Sequence, residues 1–299
     1  MLKLHALGGY RNFGDALSPV LIETMTGECV KAECLRRSEL VAVGSLLATG
    51  NGLYRAKASP FSLDWLKIFR LRLCDAFAPA MKVWGTGFLY EKVPEKFCKI
   101  RTLDVRAVRG RYTLNILKRT GFCSEGQHVA LGDPGIFYAS LLPTLPGKTI
   151  DVGVIPHEVD RFAGEFVVDA LVKKGISAKY IDVQDDSFDV VKAIASCRHV
   201  LSSSLHGLIV ADSLGIPNRQ MMLSYFGYTK EQYLFKFRDY YSSYGLELPP
   251  VITPGDVFGS PEDIVSKIGE GMIVSKDAVE ERKRDLLAAF PYERKGAYA

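Results

Sequence analysis

The chain has 299 residues, of which 47% are hydrophobic and 24% charged, and this composition excludes collagen-like, low-complexity and intrinsically disordered proteins. Its formal net charge of +4 divides unevenly, because residues 1–150 carry 21 basic and 12 acidic side chains and residues 151–299 carry 17 and 22. The basic first half suits anionic ligands or a membrane surface, unless its charges are only the scatter of a solvated surface.

Short apolar runs alternate with amphipathic stretches in the first half, a pattern typical of α/β proteins with parallel sheets. The pattern predicts a helix over Ala16–Met25, with Asp15 as its N-cap and Gly27 at its end, and a second helix over Gly110–Arg119. The strands predicted in this half are Lys3–Leu7, Leu40–Val43, Met81–Trp84, Val105–Val108 and Val129–Leu131.

The Pro/Gly-rich stretch at residues 141–148 is the best candidate for a linker between two domains. After it, strands and helices are predicted in strict alternation, at Asp151–Ile155, Arg161–Lys174, Ala178–Val183, Phe188–Cys197, Val200–Ser203, His206–Leu214 and Arg219–Leu223. Two helices follow the Pro/Gly segment at 249–261, and Asp277–Phe290 is the stronger of them. The sequence therefore predicts Rossmann-like domains at 1–145 and 150–260, followed by C-terminal helices at 261–299, with ligands bound where strands end at a cleft.

Several classes of site and location are disfavoured by what the sequence lacks. The six cysteines form no CxxC pair, and no HExxH, GxSxG or DxD pattern occurs, so we expect no metal site and no hydrolase triad. The first ten residues do not resemble a signal peptide, and no run of about 18 uncharged apolar residues occurs. We expect a cytoplasmic protein and leave open whether it associates with the inner face of the membrane.

The strongest local signal is a strand that runs into three serines and then His206 at the start of a predicted helix. Unpaired amide groups at a helix N-terminus attract anions, and the hydroxyls of Ser203 and Ser204 can assist them. The helix dipole disfavours a protonated histidine there unless a bound anion offsets it. His206 is therefore a candidate general acid, and the alternative is a histidine that only caps a buried helix.

Other candidates also follow predicted strands. The glycine-rich loop that begins at Gly8 is neither GxGxxG nor a P-loop, and a tight turn would explain Gly14 and Asp15 but not Asn12. Gly44, Ser45 and Gly87 also follow predicted strands, where glycine lets the backbone line a cleft.

Two more candidates carry charge or an imidazole at strand ends. Arg109 is placed to hold a carboxylate or phosphate bidentately, and His157 ends the first strand of the second domain. Asp133, which precedes Pro134, is interpreted by default as part of a structural turn.

Taken in order, these segments resemble the polysaccharide pyruvyl transferase family over about residues 10–245. The matching segments are 12–15 with 17–19, 43–45, 84–87, 108–110 with Thr113, 132–134, 156–157, 202–208 and 236–241. The resemblance implies a GT-B-like fold of two Rossmann-like domains, which we expect the C-terminal helix to pack back across. It also implies transfer of a pyruvyl group from phosphoenolpyruvate to two sugar hydroxyls, with His206 as general acid and Arg109 on the donor anion.

One position departs from the family pattern. Some members carry Arg-Leu-His-Gly where this chain has Ser204-Leu-His-Gly, so one donor-binding arginine is absent. The resemblance leaves three replacements open, namely the serines with the helix N-terminus, Lys236, or Arg238.

The hypothesis is therefore a pyruvyl transferase of exopolysaccharide or capsule biosynthesis, with phosphoenolpyruvate as donor and no cofactor, metal or nucleic acid. Its acceptor would be a glycan held on the N-terminal side, and the sequence leaves open whether that glycan is linked to a lipid. The alternatives are a sugar-nucleotide glycosyltransferase and a non-catalytic glycan-binding relative. Against the glycosyltransferase, Asp212 is expected to lie too deep in its helix to hold a ribose.

The loops 49–63 and 224–236 contain aromatic residues that could stack on a sugar, although such residues more often pack within their own loop. These residues are Tyr54, Phe61, Tyr225, Phe226 and Tyr228. The sequence does not predict the acceptor sugar or the oligomeric state.

Overall fold

The computed structural model describes residues 1–6, 12–47, 53–56, 62–91, 97–224, 227–259, 261–269 and 273–299. The described strands are β1 Leu2–His5, β2 Val30–Glu33, β3 Leu40–Val41, β4 Tyr54–Ala56, β5 Met81–Trp84, β6 Phe97–Lys99, β7 Leu103–Val108, β8 Ala130–Leu131, β9 Ile150–Ile155, β10 Ala178–Tyr180, β11 Cys197–Ser202 and β12 Asn218–Gln220. The α-helices are α1 Phe13–Thr26, α2 Leu63–Ala76, α3 Arg111–Arg119, α4 Arg161–Lys173, α5 Ser187–Ala195, α6 Leu205–Ser213, α7 Lys230–Ser242, α8 Pro254–Gly259, α9 Pro261–Gly269 and α10 Lys276–Ala288.

Two parallel sheets organise these elements, as the alternation of strands and helices predicts. The first has the order β2-β1-β3-β5-β7-β8, and the second has the order β10-β9-β11-β12. All pairs within them are parallel, whereas β4 and β6 form a separate antiparallel pair. The C-terminal ends of the central strands are buried and mainly apolar, as in β5 and β9, because the two faces of a parallel sheet are covered. The α/β class and its Rossmann-like pattern are confirmed.

Helix α1 begins earlier than the sequence predicts. Its N-cap is Asn12, whose side-chain oxygen accepts a hydrogen bond from the Gly14 amide at 3.1 Å, so the prediction of Asp15 as the cap is wrong. Because the Phe13 side chain is buried, the helix includes this earlier turn. The predicted end is confirmed, because Gly27 adopts a left-handed conformation with φ 67°.

Helices α2, α7 and α8 were not predicted, and neither were strands β2, β4 and β6. Helix α7 begins with a capping box in which Thr229 and Gln232 bond each other's backbone, a signal that the sequence does contain. Helix α2 has only one buried residue, Ile68, so it lacks the usual apolar stripe facing a core.

The C-terminal helix α10 packs back onto the first sheet. The Trp84 indole N–H donates to the Leu286 carbonyl at 2.8 Å, and the Trp84 ring lies edge-on to Phe290. Beyond the helix, the Lys295 amide donates to the Met25 carbonyl at 2.8 Å. The largest apolar core contains residues of both sheets. The GT-B-like arrangement and the domain boundaries stay predictions. Among the described helices, none has the length and apolar character that a membrane crossing requires.

Candidate functional site

A cavity of about 250 Å³ lies where strands of both sheets end. Residues that follow β3 and β7 of the first sheet and β9 and β11 of the second line it, together with the start of α1 and one face of α7. This is the edge at which parallel α/β sheets bind ligands. Nine residues predicted from the sequence line the cavity: Asn12, Asp15, Gly44, Ser45, Arg109, His157, Ser204, His206 and Lys236. The other three predicted residues, Gly14, Gly87 and Ser203, lie behind its wall.

His206 occupies the first turn of α6, directly after β11, as the sequence predicts. Its ring lies edge-on to Phe13, with 6.3 Å between ring centroids, and 6.4 Å from the Tyr138 ring. The N-cap residue Ser204 makes no side-chain hydrogen bond to the helix, so its hydroxyl satisfies none of the first-turn amides. An imidazole and a free helix N-terminus therefore meet at the cavity wall, and both can contact an anion.

The two histidines of the cavity are neutral at pH 7. Burial, followed by the positive charges of Lys236 and Arg109, lowers the pKa of His206 to about 3. Burial and Lys236 likewise lower the pKa of His157 to about 3. Within the described part of the chain, His206 Nε2 and His157 Nδ1 are buried without a hydrogen-bond partner. A bound anion beside them would favour their protonated forms, because its charge offsets the nearby cations.

The three serines before His206 have different roles. The single Ser202 hydroxyl proton lies within reach of the Ile155 and Ser204 carbonyls, and Ser202 Oγ accepts from the Ser204 amide at 3.0 Å, which shapes the turn from strand to helix. Ser203 Oγ donates to the buried Asp160 carboxylate at 2.7 Å and accepts from the His157 amide at 2.8 Å. Ser203 therefore joins the ends of β9 and β11, and Ser204 is the serine that lines the cavity.

Arg109 is fully buried and held from several sides. Its Nε donates to Asp239 Oδ2 at 3.0 Å, its Nη1 donates to Ser45 Oγ at 2.7 Å, and its Nη2 donates to the Phe88 carbonyl. Asp239 also accepts from the Thr113 amide at 2.8 Å and the Thr113 hydroxyl at 2.6 Å. Among the described residues these bonds use three of the five guanidinium N–H groups, and Arg109 lines the cavity with the other two unused.

Gly14 and Gly87 leave room for the two central side chains. A Cβ at Gly14 would lie 1.9 Å from His206 Nδ1, and a Cβ at Gly87 would lie 2.6 Å from Arg109 Cζ. Real atoms do not approach so closely, so any side chain at either position would displace the imidazole or the guanidinium. The sequence predicts both glycines as ligand-binding positions, whereas the structure packs a protein side chain against each of them.

Lys236 supplies a second cation from α7. Burial and the neighbouring Arg109 lower the pKa of Lys236 to about 8, while Asp15 opposes this shift. Burial raises the pKa of Asp15 to about 6, and Lys236 acts against that rise. Of the two basic side chains that the sequence offered as replacements for the absent arginine, Lys236 lines the cavity and Arg238 is exposed to solvent away from it.

Asp133 forms the structural turn expected of it. Its Oδ1 accepts from the Gly135 amide at 2.9 Å and caps the 3₁₀ helix Pro134–Leu141. Its Oδ2 is buried without a partner among the described residues, and burial raises its pKa to about 7. Gly135 separates this carboxyl group from the His206 ring, since a Cβ there would lie 3.1 Å from Asp133 Oδ1 and 3.6 Å from His206 Cδ2.

Asp239 and Asp160 are charged residues of the site that the sequence did not predict, and Tyr90, Gln232 and Tyr233 also line the cavity without having been predicted. Asp239 lies one helical turn after Lys236, so the spacing of three residues is a signal that both face the same way. Asp160 has no comparable signal, because its serine partners lie 43 and 64 residues further along the chain.

Of the five loop aromatic residues named from the sequence, the structure describes the side chain of Tyr228 only. Tyr228 lines the cavity with its ring 5.8 Å from that of Tyr90. Phe61, Tyr225, Phe226 and the side chain of Tyr54 lie outside the described residues. The described residues contain no group of His, Cys, Asp and Glu side chains that could hold a metal ion.

Comparison with known proteins identifies the family to which the chain is similar. The family model described as polysaccharide pyruvyl transferase matches residues 12–219, which include every cavity residue named above except Tyr228 and the α7 residue Lys236. An uncharacterized protein of Acanthamoeba polyphaga mimivirus is 34% identical over 168 residues, 55% of each chain. The succinoglycan biosynthesis protein ExoV of Rhizobium meliloti (strain 1021) is 28% identical over 137 residues, 45% of this chain and 40% of that protein. The chain thus spans about half the length of these curated relatives.

Proposed function

This chain belongs to the polysaccharide pyruvyl transferase family, and from that premise we propose that it transfers the pyruvyl group of phosphoenolpyruvate to a sugar of a polysaccharide precursor. Two hydroxyls of the sugar form a cyclic ketal with the pyruvyl carbon, and phosphate is released. The name of the relative from Rhizobium meliloti supports a role in polysaccharide biosynthesis. An exopolysaccharide or capsule precursor, carried on a lipid, is the acceptor class that we propose.

The observation that carries this proposal is the pairing of two cations with a neutral imidazole in one small cavity. Arg109 and Lys236 both line it, and His206 lies at the free N-terminus of α6. The volume of about 250 Å³ is below the roughly 300–1,000 Å³ of pockets for drug-sized ligands. Such a cavity suits a three-carbon anion with phosphate and carboxylate groups better than a whole sugar nucleotide.

The donor is bound by charge. The remaining N–H groups of Arg109 and the Lys236 ammonium bind the phosphate and carboxylate of phosphoenolpyruvate, and the amides at the start of α6 add further donors. Lys236 takes the place of the arginine that the motif lacks at Ser204. Asp239 keeps the Arg109 guanidinium aimed at the cavity, so it acts as a positioning residue.

Proton transfer follows from the state of His206. The bound trianion raises the low pKa of the imidazole, and His206 takes up a proton that it then delivers to the methylene carbon of the donor. C2 becomes oxocarbenium-like, and a sugar hydroxyl adds to it. Cleavage of the bond between C2 and the phosphate oxygen allows the second hydroxyl to close the ketal. Of the two hydroxyl protons released, one replaces the proton given to the methyl group and the other leaves with phosphate.

Phosphate release from phosphoenolpyruvate, measured with a panel of sugar acceptors, tests the proposal. We expect acceptor-dependent release from the wild-type protein and a loss of at least 100-fold in kcat for His206→Ala. His199→Ala is the matched control, because His199 lies on β11 before the cavity and bonds the Asp151 carbonyl. Retained turnover in His206→Ala would exclude its role as the acid.

The same samples test glycosyl transfer. Stabilisation by a sugar nucleotide, with no phosphate release for any acceptor, would overturn the proposal in favour of a glycosyltransferase. The structure provides no support for ribose binding by Asp212, because this buried carboxylate accepts from Asn218 at 2.7 Å and from Tyr240 at 3.0 Å. Stabilisation by a glycan without any turnover would instead indicate a binding protein.

A further inference from the structure

Helix α2 turns an apolar face to solvent. We define its outer face as five large side chains, each between 47% and 85% exposed: Leu63, Leu66, Phe69, Leu73 and Phe77. Steps of three and four residues place them in one stripe along the helix. A contiguous exposed apolar stripe of this kind marks an interaction surface.

The opposite side of α2 attaches it to the protein. Ile68 is its buried residue, and Asp75 accepts hydrogen bonds at 2.8 Å from both Arg101 and Thr102. The usual amphipathic helix of a globular protein turns its apolar stripe inward and its charges outward. Helix α2 instead turns its apolar stripe outward and keeps basic side chains exposed beside it, so the stripe is available to a partner outside the described chain.

The charges around the outer face are mainly positive. Lys67, Arg70 and Arg72 are exposed on α2, and Asp64, which lies 3.4 Å from Lys67, is the one exposed acidic side chain within the helix. Asp75 does not offset them, because it is bound to Arg101. Long basic side chains beside an apolar stripe can reach phosphate headgroups while the stripe enters the acyl boundary.

An aromatic pair adds a further feature of an interfacial helix. The indole of Trp65 stacks on Phe69, with 5.6 Å between ring centroids. Tryptophan favours the boundary between headgroups and acyl chains, where its ring has both an apolar body and a polar N–H. A helix of 14 residues is about 21 Å long, too short to span a bilayer but long enough to lie in its surface.

A second copy of this chain fits the outer face less well. Two copies related by a two-fold axis that buries the whole stripe would place the axis near its middle residue. Arg70 is the midpoint between Leu63 and Phe77, so the two Arg70 side chains would meet. Like charges in a desolvated interface are unfavourable, whereas an anionic surface attracts the same arginine.

We propose that the outer face of α2 binds the surface of a bilayer containing anionic phospholipids. The segment after β3 that contributes Gly44 and Ser45 to the cavity precedes α2 in the chain. The docking itself does not depend on the pyruvyl transfer proposed above.

Vesicle flotation of the full chain tests the inference without an activity measurement. The vesicles are phosphatidylcholine alone or an equal mixture with phosphatidylglycerol. The double variant Phe69→Ser/Leu73→Ser removes the centre of the outer face, and Arg70→Gln removes one charge. The matched control is Phe162→Ser/Phe166→Ser, an exposed apolar pair at the same spacing on α4.

We expect binding to the anionic vesicles and not to phosphatidylcholine alone. The Phe69/Leu73 variant should bind at least tenfold more weakly and Arg70→Gln about fivefold more weakly, with the α4 control unchanged. Arg70→Gln cannot act by unfolding, because its side chain is exposed. Absence of wild-type binding, or equal loss in the α4 control, would overturn the inference. A wild-type dimer that the α2 variants convert to monomers, with vesicle binding unchanged, would assign the face to a second copy instead.

Discussion

Replacing Gly14 by alanine tests whether the position of the His206 ring decides activity. The new Cβ would lie 1.9 Å from His206 Nδ1 and 2.2 Å from its Cγ. Ordinary van der Waals contact begins near 3.4 Å, so the whole imidazole must move by about 1.5 Å. Helix α1 cannot easily yield, because its Leu21 and Ile22 side chains are fully buried.

The expected effect is large for so small a substitution. Misplacing a catalytic group by about 1 Å can reduce a rate about 100-fold, so Gly14→Ala should lower kcat for phosphate release by about that factor. Alanine is otherwise the better helix former by up to about 1 kcal/mol, so backbone propensity predicts a more stable protein. A loss of activity, with or without a loss of stability, would therefore report the collision.

The assay is kcat and KM for phosphoenolpyruvate together with the urea midpoint of each variant. Gly126→Ala is the control, because a Cβ there meets nothing within 4 Å. In Gly14→Ala/His206→Ala the collision is gone, so stability should recover while activity stays lost, which gives a coupling of about 0.5–3 kcal/mol. Wild-type kcat in Gly14→Ala would refute the reasoning that α1 fixes the imidazole.

Three further predictions concern the charges and the C-terminal helix. Asp239→Asn removes the partner of a fully buried Arg109, so the free energy of unfolding should fall by about 3–5 kcal/mol and KM for phosphoenolpyruvate should rise, as urea titration and initial rates will show. Because the pKa of His206 is about 3 in the free site and a bound trianion favours the protonated ring, binding at pH 7 should take up protons and weaken as pH rises, which calorimetry in buffers of different ionisation enthalpy measures. Trp84→Phe loses the indole hydrogen bond to Leu286 and should lower the free energy of unfolding by about 1–3 kcal/mol.

Each of these predictions has its own control. Asp104→Asn breaks an exposed pair with Arg106 and should change stability by less than about 1 kcal/mol, and an equal loss in both aspartate variants would contradict the argument from burial. His206→Gln should reduce the proton uptake more than His157→Gln does, and a smaller reduction would assign the proton to another group. Tyr112→Phe, which removes the hydroxyl of an exposed ring, should leave stability nearly unchanged. If it destabilises as much as Trp84→Phe, the loss does not report the bond to Leu286.

Local signals explain why much of the fold was predictable. Strand Met81–Trp84 agrees with its prediction at both ends, and helix α4 differs from its prediction by one residue. Periodicity, glycine punctuation and strand-to-helix junctions act over a few residues, so the chain order contains them. The position of His206 at such a junction follows from the same local pattern.

Contacts between distant segments explain what was missed. Asn12 is the cap of α1 because Phe13 is buried in the core, and no local rule chooses it over Asp15. Arg109 is paired with a carboxylate 130 residues away, and α2 is a helix although it has one buried residue.

By itself the sequence determined the alternation of strands and helices, the place of His206 at a strand-to-helix junction, and nine of the residues that line the cavity. Only the tertiary structure decided that Lys236 is the second cation, that Asp239 holds Arg109, and that His206 is neutral. The physical reason is that pKa and donor availability depend on burial and on charges brought close through space. Those distances arise where the ends of two sheets and one face of α7 meet, and the order of residues along the chain does not specify them.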